Sequence, residues 1–269
     1  MFDLKMPHRE QNSNKGTFGK VLNFCGSKNY IGAAYLSALS SLRVGAGYSA
    51  LASSKDVIKS VSILLPEAVY LTREEGVKRL KDFTVVLIGC GLGQDYLAQN
   101  LFKKVLKKLQ KEQKNLVIDG DGLNLLAKFN YNLPQNTILT PHPLEASRLL
   151  NCTLEEILED LESSAKKITQ KYNCVTILKT HRTIICDTSL QTYTNQYGNS
   201  ALAKAGTGDI LAGIITGLLA HKMTPLDASR LGVYLHSRAG EIASNDLTEY
   251  SVLASDLLKY LPTAIKEVI

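Results

Sequence analysis

The chain has 269 residues, 45% hydrophobic and 21% charged, with a formal charge of +6. That length suits one large domain or two small ones with a sizeable core. The modest basic excess admits an anionic small-molecule substrate but falls short of a nucleic-acid-binding signature. Residues 1–16 are polar and lack the apolar centre of a signal peptide. The longest nearly apolar run, within 204–220, is too short to cross a bilayer, so a soluble, cytoplasmic protein is expected.

In chain order, KVLNFC (20–25) reads as a strand, GSKNYIG (26–32) as a turn, and residues 33–44 as an Ala/Ser/Leu-rich helix. GYSALAS (47–53), TVVLIGCG (84–91), NLVIDG (115–120) and NTILTPHP (136–143) read as further strands, the last ending in a Pro-His-Pro turn. A helix carrying Lys103, Lys104, Lys107, Lys108 and Lys111 separates TVVLIGCG from NLVIDG; its lysines recur at helical spacing and read as a solvated face. NCVTILKTHRTIICD (173–187) reads as a hairpin or two neighbouring strands, and the chain after residue 205 is mostly helical. Cys25, Cys90, Cys152, Cys174 and Cys186 form no CxxC pair, which points to reduced thiols rather than a disulfide framework or a zinc site. Strand–helix alternation with apolar strands predicts a three-layer α/β/α fold around a mainly parallel central sheet. Without a Pro/Gly/Ser-rich linker or an internal repeat, one domain is the simplest organisation. Ligands of such sheets bind beyond the carboxyl ends of the strands. The polar and glycine-rich segments 26–32, 89–95, 119–124, 140–145 and 204–209 all gather there.

The segment KAGTGDILAGIITGLLA (204–220) sets glycines and an aspartate at the mouth of an apolar helix. Gly206 and Gly208 free backbone N–H groups to hold an anion, and Asp209 in the first turn is either a dipole-stabilised acidic residue or a base. No GK[ST] follows, so this is not a Walker A loop. Gly213 and Gly217, four apart, allow another backbone to approach closely. Asp119 and Asp121 after a strand could together hold Mg2+ or simply make a turn, with Asn124 on the same patch. His142 is held between Pro141 and Pro143 with Glu145 three residues on. IGCGLG (88–93) supplies a weak glycine signal, and Lys179, His181 and Arg182 at a strand end could neutralise phosphates.

Several of these segments, in this order, resemble one family: the ADP- or ATP-dependent NAD(P)H-hydrate dehydratases of the ribokinase-like superfamily. The matching pieces are KGTFGKVLNFCGS (15–27), GAAYLSALSSLRVGAGY (32–48), IGCGLG, VIDGDGLNLL (117–126), TPHPLE (140–145), LKTHRT (178–183) and GNSALAKAGTGDILAGIITGLLA (198–220). The resemblance implies a single ribokinase-like domain over 1–269, with 1–14 as an N-terminal extension. It implies an enzyme that phosphorylates the hydroxyl of the hydrates NADHX and NADPHX from ADP or ATP, with Mg2+, and then eliminates phosphate to restore NADH and NADPH, a metabolite-repair lyase reaction. Asp209 matches the catalytic base, and Gly206, Thr207 and Gly208 match the anion hole. Lys179, Thr180, His181, Arg182 and Thr183, with Gly208, match the nucleotide-binding positions. Ala33, Gly91, Gly93, His142 and Asp209 match hydrate contacts, and Asp119 and Asn124 sit where polar residues support phosphates and metal.

The chain departs from the family pattern at Leu144, at Gly120 and Gly122, at Cys90, and at Thr180, His181 and Arg182 within the nucleotide stretch. Many bacterial members carry an N-terminal epimerase domain. None is expected within this chain, so a hydrate epimerase is expected as a functional partner. The family tends toward homo-oligomers and, in bacteria, toward ADP. The competing readings are a ribokinase-like kinase of a vitamin precursor alcohol and a non-catalytic nucleotide-binding regulator.

Overall fold

The computed structural model describes residues 4–129 and 131–269. The chain runs β1 (Lys20–Phe24), α1 (Ile31–Arg43), β2 (Tyr48–Ser53), α2 (Lys55–Leu64), β3 (Val69–Thr72), α3 (Arg73–Arg79), β4 (Val85–Ile88) and α4 (Tyr96–Glu112). It continues through β5 (Asn115–Ile118), α5 (Asp121–Phe129), β6 (Thr137–Leu139), α6 (Pro143–Leu150), α7 (Leu154–Glu159) and α8 (Leu161–Tyr172). After β7 (Val175–Leu178), β8 (Ile184–Cys186) and β9 (Thr192–Thr194), it ends in α9 (Thr207–Ala220), α10 (Pro225–Leu247) and α11 (Ala254–Lys266).

Among the described residues the strands form one sheet in the order β3-β2-β1-β4-β5-β6-β7-β8-β9. Pairing is parallel from β3 through β7, and the β7–β8 and β8–β9 pairs are antiparallel. The strands are apolar on both faces because each face is covered. Val21, Val85 and Leu87 enter one core with α1, α9 and α10, while Leu22, Val86 and Ile88 enter the other with α4, α5 and α8. Alternate side chains of a strand point to opposite faces, so nearly continuous apolar runs are what a sandwiched sheet needs. This is the expected α/β/α architecture. The expected hairpin over 173–187 is β7–β8. The edge strand β9 has no apolar run to reveal it, and β3 only the short run 68–71, which the sequence reading did not assign.

α9 lies almost wholly buried between α1 and α10. The close approach expected at its glycines is met by α1: a Cβ on Gly213 would fall 1.9 Å from Ser40 Oγ, and one on Gly217 2.3 Å from Val44 Cγ2. The lysine face of α4 is solvated apart from Lys108. Its Nζ donates to the carbonyls of Val77 (2.6 Å) and Lys78 (2.8 Å) and so closes the C-terminal end of α3. The cysteines carry no disulfide among the described residues, and no helix there is long and apolar enough to cross a membrane.

Candidate active site

Segments after β4, β5, β6 and β7 leave the carboxyl ends of parallel strands beside the N-terminus of α9. Asp119 follows β5, and its carboxylate Oδ1 accepts from the Thr140 hydroxyl and from Lys179 Nζ, both at 2.7 Å. Lys179 follows β7 and also lies 3.9 Å from Glu145 Oε2. Burial alone would lower the ammonium's pKa, but the Asp119 and Glu145 carboxylates outweigh it and hold it up at about 12. Glu145 is buried in the first turn of α6, and burial pushes it up to about 7 against the pull of Lys179.

His142 is the N-cap of α6. Its Nδ1 accepts from the Glu145 N–H at 3.3 Å, while Glu145 Oε2 accepts from the His142 N–H at 2.9 Å. This reciprocal cap, with Pro143 at the first helical position, fixes the ring. A neutral ring with an accepting Nδ1 carries its proton on Nε2, which lies 3.5 Å from Glu145 Oε2. Burial and the Lys179 charge keep the imidazole's pKa low, so His142 presents a donor to the site, not a base.

Gly206, with φ of +94°, is the N-cap of α9, and Asp209 is the third residue of the helix. A Cβ on Gly208 would lie 3.5 Å from Lys179 Nζ and 3.7 Å from Asp119 Oδ2, so the helix N-terminus faces the lysine–aspartate pair. The Gly208 and Asp209 N–H groups find no acceptor among the described residues, which leaves an anion-binding end. The helix end favours an ionised Asp209, but burial, aided by the Asp119 charge, wins and raises it to about 7. Cys90, Asp119 and Asp209 offer ligand atoms that lie within 4.8 Å of one another.

A cavity of about 750 Å3 opens from this cluster, between the loop after β7 and the middle of α10. Its inner end has Lys179, Thr207 and Gly208, and its flank has Leu202, Leu211 and Val233. A charged end joined to an apolar slot suits a phosphorylated ligand with a flat ring.

A model of the NAD(P)H-hydrate dehydratase family matches residues 21–263. The chain belongs to that family. It is 32% identical over 265 residues to the ADP-dependent (S)-NAD(P)H-hydrate dehydratase of Listeria monocytogenes, covering 97% of this chain and 92% of that one. Among solved structures, a ribokinase-like superfamily protein of Enterococcus faecalis superposes with a TM-score of 0.89 at 32% identity, covering 98% of this chain and 92% of the other. The ADP/ATP-dependent NAD(P)H-hydrate dehydratase of Bacillus subtilis, co-crystallised with ATP/Mg2+, gives 0.87 at 30% identity, covering 98% and 95%. The chain spans about half the length of the curated relatives named bifunctional NAD(P)H-hydrate repair enzymes. The fold is ribokinase-like, as the sequence resemblance implied.

Placed on this dehydratase-family fold, the residues singled out in the sequence divide into groups. Gly206, Thr207, Gly208, Asp209, Asp119, Lys179 and His142 converge. Thr180, His181 and Thr183 line the cavity, whereas Arg182 bonds to Gln196 at the exposed tip. Gly91 packs against α1, where its Cβ would fall 2.8 Å from Ala33 Cβ. The Gly93 N–H donates to Asp121 Oδ2 at 2.8 Å. Asp121 is thus spent on the glycine loop, and the carboxylate that shares ligand distance with Asp119 is Asp209, not Asp121. Asn124 accepts from Arg148 at 2.7 Å through its side-chain oxygen, with its amide toward the Gly120 carbonyl. Sequence reasoning gave no role to Thr140, although it opens the TPHPLE stretch, and it missed Tyr197 and His236, which no motif marks and which only folding brings, from the chain after β9, to the cavity.

Proposed function

We propose that this chain converts NADHX and NADPHX to NADH and NADPH, using ADP or ATP, as a carbon–oxygen lyase of metabolite repair formed by one ribokinase-like unit. The observation that carries this reading is Asp209 with a pKa near 7 beside a helix end with unused N–H donors and the Lys179 ammonium. In the first step the hydrate hydroxyl oxygen attacks the terminal phosphorus, its proton passes to Asp209, and the nucleotide leaves one phosphate shorter. The Gly208 N–H and Lys179 hold the phosphoryl oxygens as charge develops. In the second step the carbon–oxygen bond breaks with its electrons going to phosphate, a proton leaves the neighbouring carbon, and the ring double bond forms. Phosphate is the better leaving group, and the nucleotide is consumed for that reason.

The donor set fits a hard divalent cation. Asp119 Oδ1 accepts from Thr140 and Lys179, Asp119 and Asp209 each bring a carboxylate oxygen within 4.8 Å of the other, and oxygen donors suit Mg2+ whereas the Cys90 thiol does not. Asp119, directly or through water, would hold Mg2+, which would neutralise phosphate charge when bound, while Asp209 stays free to take the hydroxyl proton. Lys179, Thr180, His181 and Thr183 take the nucleotide; His142, Ala33, Gly91 and Gly93 take the hydrate. The reading carries with it a cytoplasmic homo-oligomer that works beside a hydrate epimerase. Mixing the protein with NADHX, Mg2+ and ADP or ATP tests it: reduced-nicotinamide absorbance returns. A stable phosphoester, with no recovered absorbance, would make the protein a kinase instead.

A further inference from the structure

The imidazole of His236, on α10, is buried, yet the steps above do not use it. Its Nε2 lies 2.9 Å from the Thr207 carbonyl oxygen. A carbonyl only accepts, so Nε2 carries the proton and Nδ1 is bare. Burial pushes the ring's pKa down to about 4, so this neutral tautomer persists at neutral pH. A buried imidazole without a partner would cost free energy, and among the described residues the Thr207 carbonyl is the one partner it has.

The partner's place in the chain gives the contact its meaning. The Thr207 carbonyl and the Gly208 N–H are opposite edges of one planar trans peptide, so they point in opposite directions. Whatever holds the oxygen sets the plane in which the hydrogen is aimed. The rest of Thr207 is held as well, because its hydroxyl lies 2.8 Å from the Leu202 carbonyl and 2.9 Å from that of Lys204. Gly206 and Gly208 have no side chains to lock this turn, and Gly206 takes a φ that few other residues adopt. The Thr207 carbonyl already belongs to the first helical turn of α9, and His236 adds a second grip on the same oxygen from the neighbouring helix. A hydrogen bond to the carbonyl also polarises the peptide and makes its N–H a stronger donor.

We propose that His236 is a positioning residue for the anion-binding turn: by gripping the Thr207 carbonyl it aims the Gly208 N–H at the phosphoryl group that is transferred. The inference rests on the dehydratase reading. Because His236 also lines the cavity, the rival account is direct contact with the nucleotide's base through Nδ1.

The test compares His236→Leu and His236→Gln with the wild type; Gln can still donate to the carbonyl and Leu cannot. In isotope-labelled, ligand-free protein the Gly208 amide resonance should move in His236→Leu and return toward its place in His236→Gln. In calorimetric titrations with Mg2+, His236→Leu should weaken ADP about tenfold while AMP changes by less than roughly twofold, because the terminal phosphate meets the turn. Turnover should fall roughly 10- to 100-fold in the Leu variant and be largely rescued by Gln, the scale expected for misplacing a group by a fraction of an ångström. If the Leu variant does not fold, His236→Asn, too short to reach Thr207, takes its place with the same expectations. An unmoved Gly208 amide overturns the proposal, and so does equal weakening of AMP and ADP, which would make His236 a base contact. A wild-type protein that binds ADP but leaves NADHX unchanged would sink the dehydratase reading, while the amide and titration results still decide the role of His236.

Discussion

Asp209→Asn separates a base from a structural first-turn carboxylate through two measurements that move in opposite directions. Asn keeps the side chain's size but cannot take a proton, so kcat should fall about 10²–10⁴-fold. Stability should instead rise. The native pKa of Asp209 is pushed from 3.8 to about 7, so the native state binds the proton more tightly than the unfolded chain does. Between those values the native form holds more protons, and wild-type stability falls as pH rises, levelling off above about 7. A displacement of that size corresponds to on the order of 4 kcal/mol of strain from the ionised carboxylate at pH 8. The Asn variant escapes it, and at a few degrees per kcal/mol its Tm should exceed the wild type's by on the order of 5–10 °C at pH 8. The gap should shrink toward pH 4. In the wild type the same ionisation should appear as a rise in kcat/KM with pH through about 7, because the base is active when deprotonated. Differential scanning fluorimetry across pH, with NADHX turnover followed by nicotinamide absorbance, supplies both readings. Near-normal turnover in a folded Asp209→Asn protein, or a Tm gap that does not depend on pH, would refute the reasoning.

Lys179→Ala should raise the nucleotide KM about 10-fold or more, the worth of a charge-assisted contact, while the hydrate KM changes little; an unchanged nucleotide KM removes Lys179 from phosphate binding. His142→Ala loses both the ring and the cap of α6, so it should weaken hydrate binding and lower Tm by roughly 2–4 °C, about 1 kcal/mol. His142→Asn restores the cap alone, so its Tm should match the wild type while the hydrate KM stays high; equal KM values for Asn and wild type would show that the ring does not touch the hydrate. Gly206→Ala forces a side chain into φ of +94° with its Cβ 2.7 Å from Leu36 Cδ1 and 3.0 Å from Ala254 Cβ. It should cost about 1–3 kcal/mol and most of the turnover, and a wild-type melting curve would contradict the strain.

How much could be read in advance depended on the range of the interaction. β1, β4 and β5 were legible because a strand sandwiched between helices must be apolar throughout. β3 and β9 lie at the two edges of the sheet and their residues are mostly half-exposed; β9 has no apolar run and β3 only the short run 68–71. That another backbone approaches α9 was legible from Gly213 and Gly217, four apart; that the neighbour is α1 was not. In the site, the turn chemistry around His142 and Gly206 is local and could be anticipated from Pro and Gly. The pairing of Asp119 with Lys179 spans 60 residues and leaves no local trace. Neighbourhood in the chain left two readings of Asp119 and Asp121 open, a shared cation or a turn, and the first turn of α5 carries Asp121 onto the Gly93 N–H.

The cluster's charges explain why the anion-binding turn is built from glycine rather than from a second cation. Asp119, Glu145 and Asp209 share one ammonium, Lys179, and with the site buried the negative charge left over is relieved by pushing Glu145 and Asp209 up to about 7. A general base with that pKa is half-ionised at neutral pH, near the best compromise between being available and being strong. In the proposed reaction, nucleotide phosphates would add negative charge beside it that must be offset. An arginine or lysine in the turn would do so, but a fixed positive charge next to Asp209 would also pull its pKa back toward that of an ordinary aspartate and weaken it as a base. Backbone N–H groups carry no net charge and no titrating proton. They stabilise the phosphoryl oxygens along the direction in which they point and disturb Asp209 far less than an ion would. Such donors work only while their peptide plane is held. That requirement falls on the residues around Thr207, because the glycines that expose the N–H groups cannot meet it themselves.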